Sequence, residues 1–551
     1  MKTLKYLSVL LVVLTFSQCR TLEEYNVSPN QIEVGSVQPC DMMDEIICNG
    51  ALNYQQRFYD TFAELMQYTC AGGSTSNVIH RYYIAPSYVS NCWNNPSRWA
   101  ANADHMYQLA LKIEDENYQA VALTLRTFWM DQLTAIFGYV PFSEAFQLRD
   151  QNINKPKFDA PKDIYAQLIK DLELANSLYD TSMNLSNPAK DKLYAGDVKK
   201  WQKFTNSLML RILMRLSNRS TDMEILLGES VAQYIKKIID NPTKYPIMTS
   251  YEDNAIVYFS GESPHQNTWG GYQQSTLSGH RGSEFFIGLM NGKNDPRKWI
   301  WFIPWSASIA WMGVQSGMPG DDTATAGYPI MNYEIFIGVN GYKLPVSFLN
   351  YDEVCFILAE AYLRDDDDHW AAISGGEARV TEWYNKGVRA SIEFWRYLYV
   401  DYFGQRGRNI ESTYRNFAAV EPMWDSYNNI ELQPIMDDAS INNFINTSVP
   451  FDIKNGLECI MEQKYIANFR VMTEAWNDYR RTGYPKLTIG TGTLNNGVLP
   501  LRLEYPTTTK TTNPDNYAAV VETLRNTYYD GADNMLTPVW WSEAGLAKEI
   551  R

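Results

Sequence analysis

Histidine is scarce in this chain, five in 551 residues, and no CxxC or His-Cys spacing accompanies it. The usual ligand sets of a structural zinc are therefore missing, and imidazole acid-base chemistry loses weight. Basic charge is also in short supply: 48 Lys and Arg stand against 63 Asp and Glu, for a net charge of −15. With no basic stripe to offset it, a nucleic-acid partner, which is bound by neutralising phosphates, is excluded. Long apolar runs are missing too, since Tyr6 to Leu14 falls far short of the roughly 20 residues that a membrane-spanning helix needs. HExxH, GxSxG, a P-loop, GxGxxG before a helix and an EF-hand loop are all absent. No catalytic centre, metal or cofactor is expected. A structural calcium at Asp365 to Asp368 is unsupported, because four consecutive carboxylates lack the alternating oxygen spacing of a loop site and read as a solvated turn.

Lys2 and Lys5 before the short apolar run make residues 1–18 an export signal. Cys19 follows, which leaves a soluble secreted protein or a lipoprotein whose mature first residue is Cys19. Gln18 stands where a bacterial lipobox carries a small residue, and Glu23 and Glu24 resemble the acidic signal that sends lipoproteins to the cell surface. Residues 19–40 are polar and aperiodic, as a tether would be, and 41–551 read as one large domain. Export permits disulfides among Cys40, Cys48, Cys70 and Cys92, whose three possible pairings the sequence does not choose between. Cys355 and Cys459 sit inside apolar stripes and are expected as buried free thiols.

Aromatic residues are plentiful, with 16 Trp and 37 Tyr, and a 45% hydrophobic composition supplies a sizeable core. Apolar residues recur at helical spacing over about 105–137, 161–217, 351–397 and 456–480. Leu125, Phe128, Trp129, Leu133 and Ile136 make one stripe, ending at Gly138. Asp197 reads as the N-cap of a helix carrying Trp201, Phe204, Leu208 and Ile212, with Arg211 and Arg215 off that side. Residues 351 to 394 read as two amphipathic helices folded on one another, Gly387 permitting close approach. A last helix is expected from Leu457 to Tyr479. The fold class is mostly α: tetratricopeptide-like helical hairpins, a large loop-rich face and few short strands.

That face is expected at about 80–101, 241–346 and 401–455, where turn formers replace helical periodicity. Aromatic rings beside amides suit a sugar, whose C–H face stacks on the ring while amides bond its hydroxyls. The candidate ligand-binding residues are Tyr82, Trp93, Asn95, Trp99, Trp269, Trp301, Trp305 and Trp311. Trp299 and Trp301, two apart, would share a face in a strand. The alternative throughout is that these rings are packed as core.

The chain resembles the SusD/RagB family of outer-membrane lipoproteins over nearly its full length. The resemblance is carried by Gly138-Tyr139-Val140-Pro141-Phe142-Ser143-Glu144, Gly196-Asp197-Val198 through Leu208, Asn294-Asp295-Pro296-Arg297, Phe356 through Tyr362, Glu462 through Ala467, Glu474 through Arg481 and Pro538-Val539-Trp540-Trp541. It implies a helical scaffold, lipidation at Cys19, and a cell-surface place on the outer membrane beside a SusC-like TonB-dependent transporter, to which captured glycan is delivered without catalysis. A peptide or glycoprotein cargo, as in the RagB branch, is the alternative within that reading. A glycoside hydrolase is the alternative from another class; it would need two carboxylates facing one another across a cleft.

Overall fold

A computed structural model describes residues 37–71, 79–273, 279–303, 311–319, 328–404, 436–471, 473–529 and 531–542. Cys19 and Trp305 lie outside them. The described chain is mostly helical with six short strands. The N-terminal part holds α1 (Pro39–Asp44), α2 (Gly50–Arg57), α3 (Pro86–Lys112), α4 (Glu116–Phe137), α5 (Pro161–Leu178), α6 (Val198–Arg215) and α7 (Val231–Asp240). The C-terminal part of the scaffold is α8 (Tyr351–Leu363), α9 (Gly376–Tyr397), α10 (Gly456–Ala467) and α11 (Glu474–Thr482).

Local signals set the helix limits. The Asp115 side chain accepts from Tyr118 N and starts α4, and Gly138, at φ 80°, stops it. Asp197 accepts from Lys199 N and Lys200 N and caps α6, as its position predicts. Pro161 opens α5, where a missing N–H costs nothing. Helices α3 and α4 pack as a hairpin, α4 and α6 each pack on α5, and α8 with α9 form the hairpin expected at 351–394. A Cβ on Gly387 would stand 2.8 Å from the Phe356 ring, so the small residue is what lets α9 lie against α8. The Asp365–Asp368 stretch is a turn in which Asp367 caps a short helix and Asp366 pairs with Arg364.

Four features depart from the sequence reading. Residues 86–101, expected on the irregular face, are the first turns of α3, with Val89, Cys92, Pro96, Trp99, Ala100 and Ala103 forming its buried side. The helix expected from Leu457 to Tyr479 is two, because the chain turns between α10 and α11 with Arg470 at φ 74°. Cys355 is a buried free thiol as expected, but Cys459, also free, is only half-buried, and Cys40, Cys48, Cys70 and Cys92 are buried and free, forming none of the disulfides that export permits. Arg211 and Arg215, placed by periodicity off the apolar side, are buried.

The two arginines account for their own burial. Arg211 donates through Nε and Nη2 to Glu353 of α8 at 2.8 and 2.5 Å. Arg215 pairs with Asp131 of α4 and, through Nη2, with Glu474 of α11 at 2.6 Å. Burial alone would raise the Glu474 carboxyl, but Arg215 and Arg211 outweigh it and hold it well below the usual carboxylate range. Removing one member of such a network leaves the others charged in a dry core. Glu474→Ala should therefore cost about 3–5 kcal/mol in denaturant unfolding, and Glu474→Gln, which keeps the volume and one acceptor, should cost less.

Candidate functional site

The segment from 241 to 346 supplies three strands of a four-stranded sheet, β3 (His280–Gly282), β5 (Ile330–Met331) and β4 (Phe302–Ile303), and β1 (Thr69–Ala71) completes it; the order is β1-β3-β5-β4, all antiparallel. A second, two-stranded sheet pairs β2 (Ala255–Val257) with β6 (Val346–Leu349). Strands this short cannot cover their own faces, so side chains must close the core around them.

One polar knot ties the larger sheet to the helices. Buried Glu64 lies 3.0 Å from His280 Nδ1 through Oε1 and accepts from His80 N at 3.1 Å through Oε2. Burial alone would raise its carboxyl, yet His280 and His80 outweigh that and hold it low. Gly317 N donates to His80 Nδ1 at 3.0 Å. Burial pushes His80 down, so its imidazole is kept in the neutral form that accepts this bond.

Most of the expected site rings serve this packing. Trp269 is fully buried, edge-on to Tyr59 at 5.0 Å with the Arg470 guanidinium over its face. Trp301 is fully buried between Phe469 at 4.6 Å and Trp395 at 5.1 Å. Trp99 and Tyr82 are each 2% exposed. These four offer no ring face to water, which corrects the expectation that they form a platform. Trp299 and Trp301 do not share a face: residues Lys298–Trp301 are one helical turn, so positions two apart diverge, one half-buried and the other buried.

Three of the expected residues stay partly in solvent. Trp93 is half-buried, edge-on to Phe137 at 5.0 Å, and Asn95 is half-buried one helical position beyond Asn94. Trp311 is half-buried against Trp299, the rings 4.8 Å apart and at 82°, with Lys298 Nζ over both. Burial pushes that ammonium down, and Asn291 Oδ1 accepts from it at 2.9 Å.

A better-formed aromatic site lies where no candidate was expected. A cavity of about 650 Å³ is lined by Tyr251, Tyr258 and Tyr397, with Lys192, Lys200 and Glu252 around them. The rings of Tyr251 and Tyr397 stack at 5.5 Å and 26°, and Tyr258, 39% exposed, leans on Tyr402 at 5.2 Å. Burial raises the Tyr251 and Tyr258 phenols, which therefore remain neutral hydroxyls able to donate and accept. The floor is rigid. Buried Asp191 accepts from Trp201 Nε1 at 2.7 Å and Gly196 N at 2.9 Å, and Asn254 Oδ1 accepts from Tyr351 N at 2.7 Å. Tyr251 comes from the turn before β2, Tyr258 from the residue after it and Tyr397 from the end of α9. No local pattern could have joined them, since the three meet only through the packing of β2 and β6 beside α9.

A second cavity, about 540 Å³, lies beside α3 and α4, with Asp104, Arg126, Phe142 and Phe146 in its wall. Arg126 bridges Asp104 at 2.7 Å and Asp171 at 2.8 Å, so the guanidinium occupies both carboxylates.

Residues 29–506 match the family model SusD-like_2, described as starch-binding and associating with the outer membrane. No curated protein matches the sequence. Among solved structures, the chain is similar to a SusD homolog from Bacteroides fragilis NCTC 9343, at 20% identity and TM-score 0.69 over 93% of this chain and all of that one. It is also similar to a chitin-binding protein, at 21% identity and TM-score 0.71 over 92% of this chain and all of that one. A SusD homolog from Bacteroides uniformis ATCC 8492 aligns at 23% identity and TM-score 0.65 over 92% of this chain and 98% of its own. At these identities the structural likeness establishes the helical fold.

The His80 knot carries a pH signature. A histidine lowered by folding contributes stability in full above its unfolded pKa of about 6.5 and loses it as pH falls from there toward the folded value. Glu64, lowered likewise, contributes above about 4.3 and loses it as pH falls through its folded value. The resistance of the wild type to chemical unfolding should fall as pH drops below about 6.5, and His80→Asn, which keeps an acceptor but does not titrate, should flatten that first slope.

Proposed function

Because the chain belongs to this SusD-like family of starch-binding proteins that associate with the outer membrane, we propose that it captures oligo- or polysaccharide at the cell surface and makes or breaks no bond. The observation that carries the reading is the tyrosine cavity: two stacked phenols and a third exposed one around an opening of about 650 Å³. That size falls within the range of small-ligand sites. Its rings offer C–H stacking, and Lys192, Lys200 and Glu252 at the rim offer charged partners for hydroxyls. The Trp299–Trp311 pair meets edge to face and gives less flat surface. Trp93, Asn95 and Trp311 remain candidates as a second contact region.

Affinity should be modest, because each sugar hydroxyl exchanges a bond to water for a similar bond to protein, a net of about 1 kcal/mol. Weak capture suits a protein that hands its cargo to a SusC-like TonB-dependent transporter, the partner proposed here. Lipid on Cys19 would hold the chain to the membrane; no helix among the described residues is long and apolar enough to cross one. Delivery, transporter pairing and lipid attachment rest on the family resemblance.

Isothermal titration of the full chain against starch, chitin and other oligosaccharides should give heat with at least one. Tyr258→Ala and Tyr397→Ala should each weaken that binding about tenfold, equivalent to about 1.4 kcal/mol, without shifting the melting temperature of the exposed-site variant Tyr258→Ala. Loss in Trp311→Ala alone would move the site to the sheet face and keep the function. No heat with any glycan, together with heat from peptides, would replace the cargo.

A further inference from the structure

A different chemistry gathers at the start of the described chain. Asp44 ends α1, and Cys48 lies four residues on, in the π-helical turn Glu45–Asn49, so both fall on one side of the backbone. His265 reaches the same point from the loop after β2. Its carbonyl is fixed there by Ser260, which donates to it through N at 3.0 Å and Oγ at 2.9 Å. One ligand atom from each residue, a carboxylate oxygen, a thiol sulfur and an imidazole nitrogen, lies within 4.8 Å of the other two. Asp44 Oδ1 and His265 Nδ1 are 3.7 Å apart.

We propose that Asp44, Cys48 and His265 form a three-ligand site for zinc or a zinc-like divalent cation. Three geometric facts support it. A tetrahedral zinc with bonds of about 2.0 Å to O and N and 2.3 Å to S holds its ligand atoms about 3.3–3.6 Å apart, so the observed separations need only a side-chain adjustment to close on an ion. Asp44 Oδ1 is buried from solvent and turned toward the other two donors, although the rest of its side chain is accessible. Cys48 is buried while Asp44 and His265 are partly exposed, so the sulfur would lie beneath a bound ion and the fourth position of a tetrahedral site would open toward solvent. A thiolate and an imidazole with one carboxylate favour zinc or cobalt(II) over calcium or magnesium, which take oxygen ligands.

The two sequence neighbours and the distant histidine mean that bound metal would staple α1 to the loop after β2. Such a cross-link stabilises the folded chain by an amount that grows with the logarithm of metal excess over its dissociation constant. No CxxC or His-Cys spacing marks the site, because its third ligand comes from a separate part of the chain, and the sequence expectation of no metal rested on that spacing and on the scarcity of histidine. The inference does not depend on what the tyrosine cavity binds.

The test is titration of the chelator-treated full chain with cobalt(II) chloride, followed by zinc competition. One equivalent should give tetrahedral ligand-field bands and a thiolate-to-cobalt charge-transfer band, both displaced by zinc. Zinc should raise the melting temperature. Cys48→Ser should abolish the charge-transfer band. His265→Ala, at a half-exposed position whose loop contacts run through its backbone carbonyl, should weaken cobalt binding at least tenfold and remove the zinc-dependent rise. A weak octahedral cobalt spectrum in the wild type, or wild-type affinity in His265→Ala, would overturn the site and leave an ordinary contact between Asp44 and His265.

Discussion

The buried ion network around Arg211 and Arg215 is the constraint on which the scaffold depends. Its carboxylates come from α4, α8 and α11, and its guanidiniums from α6, so four helices far apart in sequence must converge at one point. Hydrophobic stripes set which side of a helix faces inward but leave its sliding and rotation loosely defined. A guanidinium that must meet particular oxygens at hydrogen-bond distance removes that freedom. Similar anchors recur beside it. Arg481 meets Glu360 and Asp478, and Arg297 is held by Asp295, Ser391 and Gln463. The α10–α11 corner, which breaks the expected single helix, is what turns Glu474 and Arg481 toward these partners.

The irregular half obeys a different rule. Its strands are two to four residues long, and its tryptophans fill the gaps that such strands leave. Trp269 and Trp301 are consumed in this way, so richness in aromatic residues there reports mainly on packing. The tyrosines that line the larger aromatic cavity are at the seam with the helical frame, where Tyr397 ends α9 and β2 brings Tyr251 and Tyr258 alongside.

Much of the frame was legible in the sequence because its signals are local. Asp197, Gly138 and Pro161 mark helix ends by backbone chemistry alone, and Gly387 marks a close approach that Phe356 fills. The hairpin at 351–394 follows from spacing. What was not legible depends on contacts between distant segments. Periodicity placed Arg211 and Arg215 away from the core, because nothing near them in sequence reveals Glu353 or Glu474. The rings of Trp299 and Trp301 were assigned one face on the premise of a strand, and a single helical turn separated them. Tyr258 and Tyr397 carry no motif at all; each is an ordinary tyrosine until the fold sets them side by side.

The provenance of the three phenols has a consequence for how the cavity comes into being. Two are supplied by the chain before residue 260 and the third only at the end of α9, so a nascent or clipped polypeptide that stops short of α9 possesses two walls and no vessel. The cavity is thus a property of the whole fold, and the late hairpin completes it by closing the ring of tyrosines.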